Sequence, residues 1–348
     1  MADPATVPEP TMRPLPSLLA RAVAAAALLA YALAASAATT LLNVSYDVTR
    51  EFYKEYDAAF VAHWKRTAGE EIVVNQSHGG SSKQARAVAD GLEADVITMN
   101  QANDIDLLAQ RKLLPEDWAK RLPEGSAPTT SVTVILVRKG NPKGVRDWPD
   151  LARAGTGVLI PNPKTSGNGR YGYLAAWGSV LRDGGSPEQA RAMVTRIFAN
   201  VPVFDGGGRA ATTTFAQRGI GDALVTFESE VEAIRAEFGG DFEVVYPRRT
   251  VLAENPVAVV DKVVDRKGTR RQAEAYLAWL YSEEAQEIAA RHGLRPRSAR
   301  ALAAHARSFP KVETFTVDAV FGSWKQAQKA HFDDGGEYDR ILAASHRQ

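Results

Sequence analysis

Residues 166–172 read SGNGRYG, and Gly167, Gly169 and Gly172 stand there at GxGxxG spacing. In a dinucleotide-binding turn such glycines let the backbone approach a pyrophosphate at a helix N-terminus. The surrounding residues fail that chemistry twice. The apolar run 157–160 does not lead straight into the first glycine, because PNPKTS intervenes with Pro161 and Pro163. The acidic residue expected about 20 positions on, at the end of a second strand, is absent from DGGSPEQARAMV, where Glu188 falls at a helix start. Neither GxxxxGK[ST] nor GxSxG occurs, so a nucleotide P-loop and a nucleophile elbow both lack support.

Metal and nucleophile chemistry is no better served. The six histidines, His63, His78, His292, His305, His331 and His346, include no pair at ligand spacing and no HExxH. No metal and no cofactor is expected. His78 lies in SHGGSS, so a hydrolase using Ser81 or Ser166 as nucleophile with His78 is the enzymic alternative, although no motif nominates it. What does recur is a helix start preceded by Ser, Gly or Asp: LLNVSYD, EIVVNQSHGGSS, TGVLIPNPKTSGNG and NVPVFDGGGRA each end in small polar residues before a helical pattern. A single such end is ordinary capping. Four facing one cleft would form an anion site without lysine or arginine, because unpaired N–H groups and the helix dipole both favour negative charge.

The elements that must carry these ends alternate. Short apolar or β-branched runs, including ADVITMN, SVTVILVRKG, DALVTF and FEVVYP, read as strands between helical stretches, which implies α/β layers with mostly parallel sheets. Phe52, Tyr53, Tyr56, Phe60 and Trp64 sit at helical spacing and read as a core face. Candidate linkers near 128–133 and 248–254 divide the chain into two lobes with a cleft between them. The expected boundaries are 1–37 for a signal peptide, 38–130 and 251–348 for the first lobe, and 131–250 for the second.

The first segment sets the compartment. Arg13 and Arg21, an apolar run over 22–35 and the small-x-small Ala35-Ser36-Ala37 follow the order of a secretory signal. The run falls short of the roughly 20 apolar residues a spanning helix needs. Cysteine is absent, so neither disulfides nor a lipid anchor is available and a freely diffusing periplasmic protein is expected. With 42 basic and 41 acidic residues the chain carries no broad basic face for nucleic acid.

Several long stretches resemble the periplasmic sulfate- and thiosulfate-binding proteins of ABC importers: LLNVSYDVTRE, QSHGGSSKQA, RLPEGSAPTTSVTVILVRKGNPK, NPKTSGNGRYGYLAAWG, VFDGGGRAATTTFAQRGIGD and FGSW. The resemblance runs through residues 41–342 in order. It implies a two-lobed periplasmic binding-protein fold of type II, each lobe a mostly parallel sheet flanked by helices, hinged about a central cleft. It also implies a carrier, not an enzyme, that holds a fully ionised oxyanion by backbone N–H groups and a serine hydroxyl and delivers it, as a monomer, to an inner-membrane permease. The motifs place Asp47 at the first helix end, contributing its N–H while its side chain caps locally, and Ser81 at the second. Gly167 and Asn168 stand where the sulfate branch has two glycines, and Gly208 where that branch tends to have alanine. Phe227 replaces that branch's tryptophan and cannot donate a hydrogen bond. Because the outer sulfur of thiosulfate accepts hydrogen bonds poorly, an apolar ring against it costs little. Thiosulfate, with sulfate as a second ligand, is therefore expected; molybdate or another tetrahedral oxyanion is the alternative. A site offering only donors would reject hydrogen phosphate, whose proton would face another donor.

Overall fold

The computed structural model describes residues 38–345, and the expected signal peptide lies outside the described residues. Along the chain, β1 (Thr39–Tyr46) runs through a 3-10 turn at Asp47–Thr49 into α1 (Arg50–Ala68). Then β2 (Ile72–Gly79) leads to α2 (Ser81–Ala89), and β3 (Val96–Thr98) to α3 (Ala102–Gln110). Next come β4 (Thr129–Arg138), β5 (Val158–Leu159), α4 (Gly167–Arg182), α5 (Pro187–Ala199) and α6 (Gly208–Thr212). The strands β6 (Ala223–Phe227), β7 (Phe242–Val245), β8 (Arg249–Asn255) and β9 (Val257–Val259) follow. The last elements used below are β10 (Arg295–Pro296), β11 (Glu313–Phe315) and α7 (Glu337–Ser345).

One sheet has the order β2-β1-β3-β9. β1 pairs in parallel with β2 and β3, setting Tyr46 opposite Gly79 and Ser45 opposite Thr98. All three strands therefore release their chain at the same edge, where ligands of open parallel sheets are held. On α1 the five expected aromatics are buried, and they pack against Tyr276 and Trp279 behind this sheet. The helix stops at Gly69, whose φ of 70° takes the left-handed cap that suits glycine.

The second sheet differs from expectation. β4 is antiparallel to β6, β7, β8 and β10, and only the pairs β5–β6 and β8–β11 are parallel. The reason lies in how the chain travels. β4 carries it out of the first sheet and β8 carries it back, and neighbouring strands that run out and back must be antiparallel. Thr129–Val132 pairs with Leu252–Asn255, so the segments expected as linkers are paired strands rather than loops. The run 201–205 also forms no strand; it is irregular, with the Asn162 N–H donating to Asp205 O at 2.7 Å.

A second correction concerns the C-terminal part, expected to lie wholly with the first lobe. β11 joins the edge of β8, which carries the rest of the chain onto the second sheet. Val317, Ala327, Phe332, Tyr338 and Ile341 share one apolar cluster with Trp148, Tyr173 and Phe198, and the Lys164 ammonium donates to Phe332 O at 2.9 Å. Residues from Glu313 onward thus belong with the second sheet's core.

Candidate anion site

Glycines bring the ends of the two sheets together. The 3-10 turn at Asp47 and the N-terminus of α2 leave the first sheet; the N-termini of α4 and α6 approach from the second. A Cβ on Gly80, the residue before α2, would stand 2.7 Å from Thr165 O and 2.9 Å from Gly206 O. One on Gly207, before α6, would stand 2.6 Å from Asp47 Oδ2 and 3.7 Å from Gly80 Cα. One on Gly167 would run into Asn100 Oδ1. The approaches under 3 Å are closer than real Cβ atoms make, so at Gly80 backbone meets backbone, and at Gly207 and Gly167 backbone meets a polar side chain, only because the glycine has no side chain of its own. The leading N–H groups of a helix have no acceptor within it, and these close approaches set the Asp47 turn and the starts of α2, α4 and α6 beside one another.

The GxGxxG spacing is explained by this packing. Gly167 faces Asn100, Gly169 backs onto the Pro161 carbonyl, and a Cβ on Gly172 would stand 2.9 Å from Val225 Cγ1. The last two let α4 lie close on β6 and on the loop after β5, and Ser166 caps the helix by accepting from the Gly169 N–H at 3.4 Å. No pyrophosphate geometry is involved.

Asp47 does more than cap its own turn. Its carboxylate takes the N–H groups of Asp47 and Val48 and also accepts from the Arg209 N–H, in the first turn of α6, at 3.2 Å. Burial raises its pKa, and those N–H groups oppose the rise. Ser81 is arranged differently from expectation. Its hydroxyl donates to Asp104 Oδ2 at 2.5 Å, rather than standing free as a donor for a ligand. Asp104 also accepts from Ser82 at 2.8 Å and Gln101 at 2.7 Å. Across the lobes it faces Arg170 at 3.8 Å, both side chains being almost wholly buried. Ser81 is therefore committed to a carboxylate rather than to His78, and Ser166 accepts from backbone. Neither serine is set up as a nucleophile with that histidine.

Asn168 is 2% exposed, and its Nδ2 donates to Thr226 Oγ1 at 3.1 Å. Phe227, 1% exposed, ends β6 and meets Tyr46 and Tyr171 edge-on at centroid distances of 6.5 and 5.6 Å. Tyr46 immediately precedes Asp47, so Phe227 packs on the residue before the first helix end. The structure thus gathers Asp47, Ser81, Gly167, Asn168 and Gly208, and places Phe227 beside them within the aromatic core.

Two further residues escaped the sequence reading. Asn100 leaves β3 at the same edge as Asp47 and Gly80, and its Oδ1 is buried without a partner. A third strand parallel to β1 had to end there, and that was the available signal. Glu230, three residues beyond Phe227, is fully buried, and burial together with the Asp47 charge raises its pKa to about 8. An acid beside an anion site gives no signal in sequence, because only its burial makes it neutral.

Two sheets joined by antiparallel crossing strands, with helix starts from both meeting at glycines, have the build of a two-lobed solute-binding protein. The chain belongs to the family of bacterial extracellular solute-binding proteins, which matches residues 41–295. It is 62% identical over 312 residues to the thiosulfate-binding protein of Pseudomonas aeruginosa, covering 89% of this chain and 94% of that one. It is 51% identical over 303 residues to the sulfate-binding protein of Escherichia coli, covering 86% and 92%. The solved structure of the sulfate-binding protein SubI from Mycobacterium tuberculosis superposes with a TM-score of 0.76 at 31% identity, over 85% of this chain and all of that one.

Proposed function

We propose that this protein captures thiosulfate, with sulfate as a second ligand, in the periplasm and delivers it as a monomer to the permease of an ABC importer. It is a carrier and catalyses no reaction. The observation that carries the reading is the glycine-lined meeting of helix ends from both sheets, which offers main-chain donors to a fully ionised tetrahedral anion. The two named relatives bind thiosulfate and sulfate respectively, in line with that chemistry. Phe227 and Asn168 favour thiosulfate: the ring donates nothing, and a large, weakly accepting sulfur loses little against it. Among the described residues no helix is long and apolar enough to cross a membrane.

The magnitudes agree. A hydrogen bond to a charged group contributes roughly 1.5–3 kcal/mol. About six of them, less desolvation and closure, allow micromolar binding near −8 kcal/mol. Calorimetric titration of the purified protein with thiosulfate, sulfate, molybdate and phosphate tests the reading. Binding of thiosulfate ahead of sulfate supports it; molybdate binding in the absence of both would replace it with the other oxyanion, and no binding at all would overturn it.

A further inference from the structure

We propose that the Asn168 carboxamide and Gly208 form one unit that sets which sulfur oxyanion the site prefers. The inference rests on the functional reading above, because it concerns the ligand held between these helix ends. A Cβ on Gly208 would stand 2.8 Å from Asn168 Nδ2 and 3.1 Å from Val48 Cγ1. The carboxamide therefore fills one side of the space a larger residue at 208 would need, and Val48, from the opposite lobe, fills the other. Asn168 cannot swing aside without losing its bond to Thr226 Oγ1, and Thr226 is completely buried. A side chain at 168 and a Cβ at 208 are in this way alternatives.

The carboxamide also carries a chemical preference. Its Oδ1 is buried without a donor. Next to a bound dianion such an oxygen meets another acceptor, and the repulsion is greatest against a strongly accepting oxygen and smallest against a large, diffuse sulfur. Thr226, which anchors Asn168, directly precedes Phe227 on β6. Phe227 thus stands on the strand end to which the Asn168 carboxamide of α4 is tied.

The test is a double-mutant cycle of wild type, Asn168→Gly, Gly208→Ala and the double variant. Each is titrated with thiosulfate and with sulfate, and each has its ligand-free Tm measured. Gly208→Ala alone is expected to weaken both anions by roughly tenfold and lower Tm. Asn168→Gly alone is expected to move the thiosulfate-to-sulfate preference toward sulfate by about fivefold or more. The double variant is expected to regain the Gly208→Ala losses to within about threefold. Additive losses in the double variant, or an unchanged preference in Asn168→Gly, overturn the pairing even though the wild type binds. Wild-type protein that binds neither anion overturns the functional reading instead.

Discussion

The Ser81 hydroxyl donates to Asp104 Oδ2 at 2.5 Å, beneath the helix end that faces the cleft. The same carboxylate gathers Ser82 and Gln101 and faces Arg170 of the opposite lobe. Asp104 is thus a polar hub under the site rather than part of it. It fixes the start of α2, and through Arg170, whose Nε donates to Pro163 O at 2.8 Å, it touches the loop that enters α4.

Ser81→Ala separates the two uses of that residue. The substitution keeps the main-chain N–H and removes the bond to Asp104, which retains Ser82 and Gln101, together with a weak contact to Met99 Sδ at 3.3 Å. A stability loss of about 1 kcal/mol is expected in urea unfolding, with thiosulfate affinity reduced by no more than about threefold. A loss of a hundredfold in calorimetry would mean that the hydroxyl turns to the ligand.

Asp104→Ala should be far more damaging. It leaves the buried Arg170 guanidinium without its carboxylate, and stranding one member of a buried pair costs roughly 3–5 kcal/mol. Burial already depresses the Arg170 pKa, and the Asp104 charge opposes that effect. The double change Asp104→Ala/Arg170→Met removes both charges and is expected to recover at least half of the lost stability in the same unfolding measurement. No recovery would show that the pair contributes nothing as a pair.

The first sheet was legible because its grammar is local: a parallel strand, small residues, then a helix, repeated at Asp47 and at Gly80–Ser81. Gly167 followed the same rule. The second sheet was not legible, since β4 finds its partners β8 and β6 far along the chain, and an antiparallel ladder leaves no trace in the order of strands and helices. The placement of 313–345 failed for a similar reason: β11 is three residues long, and only its pairing with β8 shows which core Phe332 and Tyr338 enter. Asn100 and Glu230 were missed because neither residue type signals anion binding by itself. Their significance is burial beside helix ends, a property of three dimensions alone.

Phe227→Trp tests the ring's part in selectivity. An indole adds an N–H donor where none exists, so the preference is expected to move toward sulfate, measured as the ratio of the two Kd values. The ring is buried between Tyr46 and Tyr171, so the larger side chain should also cost about 1–3 kcal/mol of stability by overpacking. If the ratio stays fixed while stability falls, Phe227 is a core residue only.

Glu230 makes binding sensitive to alkaline pH. Its pKa is raised from 4.5 to about 8 by burial and by Asp47, against the opposing charge of Arg209. The carboxyl is therefore mostly protonated at neutral pH and adds no negative charge beside the ligand. Thiosulfate stays a dianion throughout, so ionising Glu230 places a like charge near it, and affinity is expected to fall above about pH 8, by up to about tenfold per pH unit for one linked proton. The neighbouring groups titrate differently. His78 has its pKa lowered by burial, and burial raises Tyr46 well above its ordinary range. Asp47 is raised as well, chiefly by burial. The ligand-free fold carries the matching sign: between about 4.5 and about 8 the folded protein holds a proton that the unfolded chain releases, so stability falls as pH rises through that window. Glu230→Gln is neutral at every pH. It should leave affinity at pH 7 within about threefold of wild type and flatten both profiles, read by calorimetry and thermal unfolding from pH 6 to 9.5. An alkaline loss of binding that persists unchanged in Glu230→Gln would assign the effect to another group.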